Sequence, residues 1–154
     1  MGHEYYLRLA LLEAVKAGKK DEVPVGAVIV MDGKIIARAH NNIINRNDPC
    51  GHAELIAIRK AAKKTGNERL NGAILYATIE PCCMCAGAIL LARIKTLVYG
   101  ARELKTGACG SVHEVINDPR NNHTVEVVAD VLSAGCGAVI KEFFKKKRKK
   151  RAQI

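Results

Sequence analysis

Apolar residues fall at helical spacing near the start of the chain. In HEYYLRLALLEAVKAG, Tyr5, Leu9, Leu12 and Val15 form one stripe, with Leu7 and Leu11 beside it. This spacing predicts an amphipathic helix packed on a sheet, with Gly18 as its stop. VGAVIVMDGKIIARAHN changes period: two apolar, partly β-branched runs flank Asp32-Gly33, a hairpin signal. The polar loop NNIINRNDPCG leads into HAELIAIRKAAKKTG, where Leu55, Ile58 and Ala62 with Ala61 predict a second helical face ending before Gly66. AILYATIEP reads as a buried strand halted by Pro81, CMCAGAILLARI as an apolar helix and KTLVYGA as a further strand. Strand, helix and strand within some thirty residues predict a parallel crossover. After a glycine-containing loop at 101–111 come a short segment near 113–117, a strand in HTVEVVADV, and a helix in SAGCGAVIKEFFKKKRKK. No repeat or linker interrupts the chain, so the pattern predicts one α/β domain, a sheet layered with helices.

Composition narrows the class. A chain of 154 residues, 49% hydrophobic and 26% charged, has the make-up of one soluble globular domain. Aromatic residues reach only 4%, with no Trp, which leaves little for broad base stacking. The formal net charge is +10, and KKKRKKR at 145–151 supplies seven of those charges. The chain therefore divides into a domain at 1–144 and a basic tail at 145–154 continuing the last helix. Such a run is either a solubilising end or a contact for nucleic acid or another anionic surface. The amino end has none of the three regions of a secretory signal, and no apolar run reaches membrane-spanning length, so a cytoplasmic protein with no membrane contact is expected. Reduced thiols are then the rule, and clustered cysteines point to metal or catalysis more than to disulfides.

Three of the six cysteines lie in PCCMC at 81–85. If Cys82 opens a helix, the i, i+3 relation puts Cys82 and Cys85 on one side and turns Cys83 away. Pro81 fixes the helix entry, where backbone N–H groups and the positive end of the dipole favour thiolates. In GHAEL, His52 and Glu54 are two residues apart, about 200° on a regular helix. They face one centre only where the helix is just starting; Pro49 disfavours helix at Asp48, and Gly51 relaxes the turn. One nitrogen and two thiolates suit a single Zn²⁺, with the fourth position left for water. Glu54, near the metal but not bound to it, is the expected proton carrier. Two alternatives stay open on spacing alone. A structural zinc closed by Cys50, Cys109, His113 or His123 has the same three ligands, and Cys82-x-x-Cys85 alone is also a redox pattern.

H-x-E followed by P-C-x-x-C resembles the zinc-dependent cytidine and adenosine deaminases. EVPVGAVIV, NDPCGHAE, ATIEPCCMCAGAILLARI, YGARELKTGACGS, NNHTVEVV and EFF resemble, in order, the bacterial tRNA-specific adenosine deaminases over roughly residues 4–145. The resemblance implies a three-layer cytidine-deaminase-like fold, with a mixed sheet of about five strands flanked by helices. It also implies hydrolysis of adenosine to inosine at the wobble position of a tRNA anticodon stem-loop, and a homodimer. Residue by residue, it implies that His52, Cys82 and Cys85 hold zinc, that Glu54 moves protons and that Asn41 hydrogen-bonds the target nucleoside. Glu103 falls where the family usually has Asp, beside a neighbouring sugar, and Cys50-Gly51 where it commonly has Thr-Ala. Lys105, Thr106, Phe143 and Phe144 are expected to face the RNA or the dimer seam. A guanine, cytosine or cytidine deaminase on the same scaffold, and a zinc-stabilised RNA-binding module, are the competing functions.

Overall fold

The computed structural model describes the whole chain, Met1–Ile154. Helix α1 covers His3–Lys19; strands β1, Gly26–Met31, and β2, Lys34–His40, form the hairpin; α2 covers Ala53–Thr65. Strand β3, Ile74–Ile79, helix α3, Cys83–Leu91, and strand β4, Thr96–Ala101, make the crossover. Strand β5, Glu126–Val128, and helix α4, Ser133–Ala152, complete the fold. The hairpin turns at Asp32 and Gly33 with φ of 51° and 73°, the left-handed pair that a two-residue connection requires.

The five strands form one mixed sheet in the order β2-β1-β3-β4-β5. β1 runs antiparallel to β2 and β3, whereas β3–β4 and β4–β5 are parallel. Strand alternation assigns side chains to two cores. Ala27, Ile29, Leu75, Ala77, Leu97 and Tyr99 pack with α2 and α3, and Val28, Val30, Tyr76 and Val98 pack with α1 and Cys136 of α4. The result is the expected three-layer arrangement, helices on both faces of the sheet.

Several expectations differ in detail. The buried stripe of α1 is Tyr6, Leu7, Ala10, Ala14 and Ala17, while Tyr5, Leu12 and Val15 are exposed. The helix comes close enough to β1 that a Cβ on Gly26 would strike the backbone of Ala10 and Ala14, so small alanines, not leucines, form the seam. The α1 helix also passes Gly18 by one residue. The short segment near 113–117 contributes only a Cys109–Glu114 bridge. β5 is shorter than HTVEVVADV suggests, and α3 ends at Leu91, before Arg93 takes a positive φ. The six cysteines are free thiols.

Because β1 and β2 are antiparallel and β3 and β4 parallel to each other, one edge of the sheet collects Val25, Asn41, Ile79 and the residues just after Ala101. Ligand sites of α/β sheets form beyond the carboxyl ends of parallel strands, and the chemistry-bearing residues gather there.

Candidate metal centre and active site

Two helices begin at this edge. His52 is the N-cap of α2 and Cys82 the N-cap of α3, both in extended backbone. The loop from β2 ends in the Asp48-Pro49-Cys50-Gly51 turn, and Asn42 N–H donates to the Gly51 carbonyl (2.9 Å). Gly51 does not loosen that turn: a Cβ there would strike the Asn42 carbonyl, so its absent side chain lets the loop ends close up. Asn41 Oδ1 accepts the Ala53 N–H at 2.8 Å, satisfying one of the unpaired donors of the first turn of α2.

His52 Nδ1 stands 3.5 Å from both Cys82 Sγ and Cys85 Sγ, and the three ligand atoms lie within 4.8 Å of one another. Zinc bonds of about 2.0 Å to nitrogen and about 2.3 Å to sulfur, at tetrahedral angles, separate N and S by roughly 3.5 Å. The donor set and its spacing therefore fit Zn²⁺. No fourth His, Cys, Asp or Glu joins the group; His123 Nε2 is instead 2.7 Å from the Ile94 carbonyl. The closed structural site with Cys50, Cys109, His113 or His123 is thus not formed. Cys83 is exposed.

The electrostatics suit a cation. A hydrogen bond with Cys85 draws the Cys82 thiol down to about 3 against the effect of burial, and His52 adds to the pull. The same bond, burial and Glu54 push Cys85 far up, and the bond to Cys82 raises His52. A bound metal displaces the protons that Cys85 and His52 hold. Glu54, in the first turn of α2, is 2% exposed, and its Oε1 has no hydrogen-bond partner. Burial raises its carboxyl pKa, while the Cys85 thiol and His52 pull it back.

His52, Glu54 and Cys82 open onto a cavity of 240 Å³, walled by Val23, Val25, Ile43 and Ile79 and closed on the α4 side by Ile140 and Phe144. Asn41, Glu103 and Thr106 also line it. Asn41 Nδ2 makes no hydrogen bond within the chain, so its donors remain for a ligand. Glu103 Oε1 accepts the Lys105 N–H (2.9 Å). Lys105 lies outside this cavity, in a second depression with Ile140, Lys141, Phe144 and Arg148. Phe143 and Phe144 are not core residues. Phe144 is 43% exposed, and Phe143 lines a groove with Asp21, Ile44, Lys147 and Arg148 instead of the cavity. The basic run continues α4 as a helix, latched by Lys147 Nζ to Asp21 Oδ2 at 2.6 Å.

Sequence reasoning missed two buried carboxylates that hold loops through backbone N–H groups. Glu80, 2% exposed, accepts N–H groups of Glu103, Cys109 and Ser111 and the Ser111 hydroxyl. It thereby pins the 103–111 loop against the cavity, and Gly107 passes so close that a Cβ would strike the Glu80 carboxylate. Burial pushes Glu80 up, but its donors outweigh that and hold it below the ordinary carboxylate range. Glu22, 1% exposed, plays a like part for residues 43–45. The available signal was a Glu beside apolar strand residues in both EVPVG and TIEPC.

The comparisons agree with this geometry. The sequence pattern of the cytidine and deoxycytidylate deaminase zinc-binding region matches residues 1–101. The tRNA-specific adenosine deaminase of Bacillus subtilis (strain 168) is 46% identical over 148 residues, 96% of this chain and 92% of that protein. A solved structure from a study of A-to-I editing by tRNA:A34 deaminases at the wobble position superposes with a TM-score of 0.85. It is 44% identical, over 88% of this chain and 98% of that one. A guanine deaminase from Bacillus subtilis is more distant, at 36% identity and a TM-score of 0.65, over 97% and 95% of the two chains. The match over residues 1–101, together with a His-Cys-Cys centre built at two helix N-termini, establishes that the chain belongs to the cytidine and deoxycytidylate deaminase zinc-binding family.

Proposed function

We propose that this protein hydrolytically deaminates adenosine to inosine at the wobble position of a tRNA anticodon. The observation that carries the reading is the convergence of His52, Cys82 and Cys85 on one centre while Glu54, buried and incompletely paired, lines the same small cavity. Likeness to tRNA-specific adenosine deaminases over nearly the full chain supports the substrate class.

His52, Cys82 and Cys85 would hold Zn²⁺, which when bound would supply the Lewis acidity that lowers the pKa of water towards neutrality. Glu54 takes one proton from the water that attacks C6 and delivers it to purine N1; it then takes the second proton from the new C6 hydroxyl and gives it to the amino group as the C6–N bond breaks and C6=O forms. The products are inosine and ammonia. Burial suits Glu54 to both acts, because a raised pKa brings acid and base forms close in energy. The Asn41 Nδ2 donors orient the target nucleoside, and Val25, Ile43 and Ile79 exclude water from the base. An anticodon loop supplies a base that enters the cavity without a duplex being melted.

Glu103 contacts a neighbouring sugar at the cavity rim. Lys105, Phe143 and Phe144, with the tail at 145–154 beyond the 1–144 domain, contact the RNA outside the cavity. The exposed Leu91 and Leu104 support a homodimer, which sedimentation equilibrium tests as a species of twice the monomer mass. Free thiols and a tRNA substrate support a cytoplasmic location.

Incubation with a minimal anticodon stem-loop carrying adenosine at the wobble position, and in parallel with free guanine and free cytosine, tests the reading. Inosine in the stem-loop alone is the expected product. Xanthine or uracil without inosine assigns the scaffold to base deamination, and no product with zinc bound assigns it to RNA binding.

A further inference from the structure

Glu22 sits in the turn between α1 and β1 and takes no part in the chemistry above. Its carboxylate accepts three consecutive backbone N–H groups, Ile43 at 2.5 Å, Ile44 at 2.7 Å and Asn45 at 3.0 Å, and the Asn45 side-chain amide at 3.1 Å. No lysine, arginine or histidine pairs with it. Burial pushes its carboxyl up, but the N–H groups of Ile43, Asn45 and Ile44 outweigh that and hold it below its ordinary value. A buried charge neutralised only by a turn of backbone donors fixes that turn in one conformation.

The fixed turn matters because of what it carries. Ile43 is a wall of the catalytic cavity, and Val23, the residue after Glu22, is another. Asn41, two residues before Ile43, lines the cavity and accepts from Ala53 at the start of α2. The Glu22 clamp thus joins two strand-end segments, 22–25 and 41–45, into one side of the pocket. His52, Glu54 and Cys82 stand on α2 and α3, which have their own packing on the sheet.

We propose that Glu22 is a positioning residue for deamination, acting through Ile43 to hold the cavity wall that grips the target base. The inference rests on the deaminase reading above. The carboxylate is specific to the role: a Gln offers one acceptor oxygen and turns an NH₂ donor towards the N–H groups, so at least one buried donor is left unpaired.

Steady-state kinetics on the anticodon stem-loop, with zinc content, test it on Glu22→Gln, Ile43→Ala and the double variant. Glu22→Gln is expected to raise KM about tenfold with kcat within about twofold, the mark of lost binding with intact chemistry. Zinc remains at one per chain. Ile43→Ala does the same, and the double variant is no worse than the weaker single one, because both changes remove the same wall. Unchanged KM in folded Glu22→Gln, loss of zinc, a fall in kcat at constant KM, or multiplicative effects in the double variant overturn the proposal. Hydrogen exchange on the wild-type protein reads the clamp even if Glu22→Gln does not fold. Slow exchange at the amides of residues 43–45 is expected, and fast exchange there overturns the clamp. A wild-type protein that leaves the stem-loop unaltered defeats the deaminase reading; an active wild type with an indifferent Glu22→Gln defeats this inference alone.

Discussion

His52 and Cys82 cap two different helices, thirty residues apart in sequence, and their ligand atoms meet at 3.5 Å. The relation is a product of topology: β2 and β3 both end at the same edge of the sheet, and each leads into a helix there. Metal held at that junction ties α2 to α3. Removing zinc with a chelator is therefore expected to lower thermal stability as well as stop turnover. At free zinc 100-fold above its dissociation constant the loss is about 2.7 kcal/mol, or roughly 5–10 °C in Tm. Calorimetry with and without chelator checks this; an unchanged Tm places the metal outside the folding equilibrium.

Glu54 is close to the ligands without being one. Glu54→Ala is expected to keep one zinc per chain and the fold while losing about 10²–10⁴-fold in kcat, the usual worth of a positioned acid–base group. His52→Ala is expected to lose zinc affinity first and activity in consequence. Metal analysis beside single-turnover kinetics separates the two, and a Glu54→Ala enzyme of undiminished rate removes the proton-transfer role.

The helical tail places seven cationic residues beyond Phe144 in one run. Deleting residues 145–154 is expected to weaken stem-loop binding at low salt and flatten its salt dependence, by about 0.7 in the log–log slope for each phosphate no longer neutralised. Binding measured over a salt series checks it. A deletion variant with the wild-type slope leaves the run as a solubilising end.

The two faces of α1 give a stability contrast. Leu7 is fully buried and Leu12 is 58% exposed. Leu7→Ala is expected to cost about 2–5 kcal/mol and Leu12→Ala less than about 0.5 kcal/mol. Urea unfolding of both variants tests which stripe faces the sheet.

That contrast also shows what the sequence conceals. The period of α1 was legible, but the phase was not, because leucines occur all round the helix and the close approach at Gly26 selects alanines for the seam. The three metal ligands were legible, since H-x-E and P-C-x-x-C each lie where a helix begins, but the lack of a fourth protein ligand was visible only in the fold. Asn41's place in the loop before the metal histidine was legible, but its hold on the first turn of α2 was not. Glu22 and Glu80 were hidden for a different reason. A carboxylate satisfied by backbone N–H groups has partners that no residue type announces, and those partners exist only once the loops have folded. Phe143 and Phe144, adjacent in sequence and about 100° apart on the helix, share one groove, but only Phe144 also reaches the catalytic cavity.

Mass spectrometry of the anticodon stem-loop after reaction in oxygen-18 water is the most direct test of hydrolysis at the wobble adenosine. The expected result is inosine at that single position, carrying one solvent-derived oxygen-18 at C6, with every other adenosine intact. Recovery of unreacted adenosine by zinc-loaded protein, or inosine without the label, contradicts it.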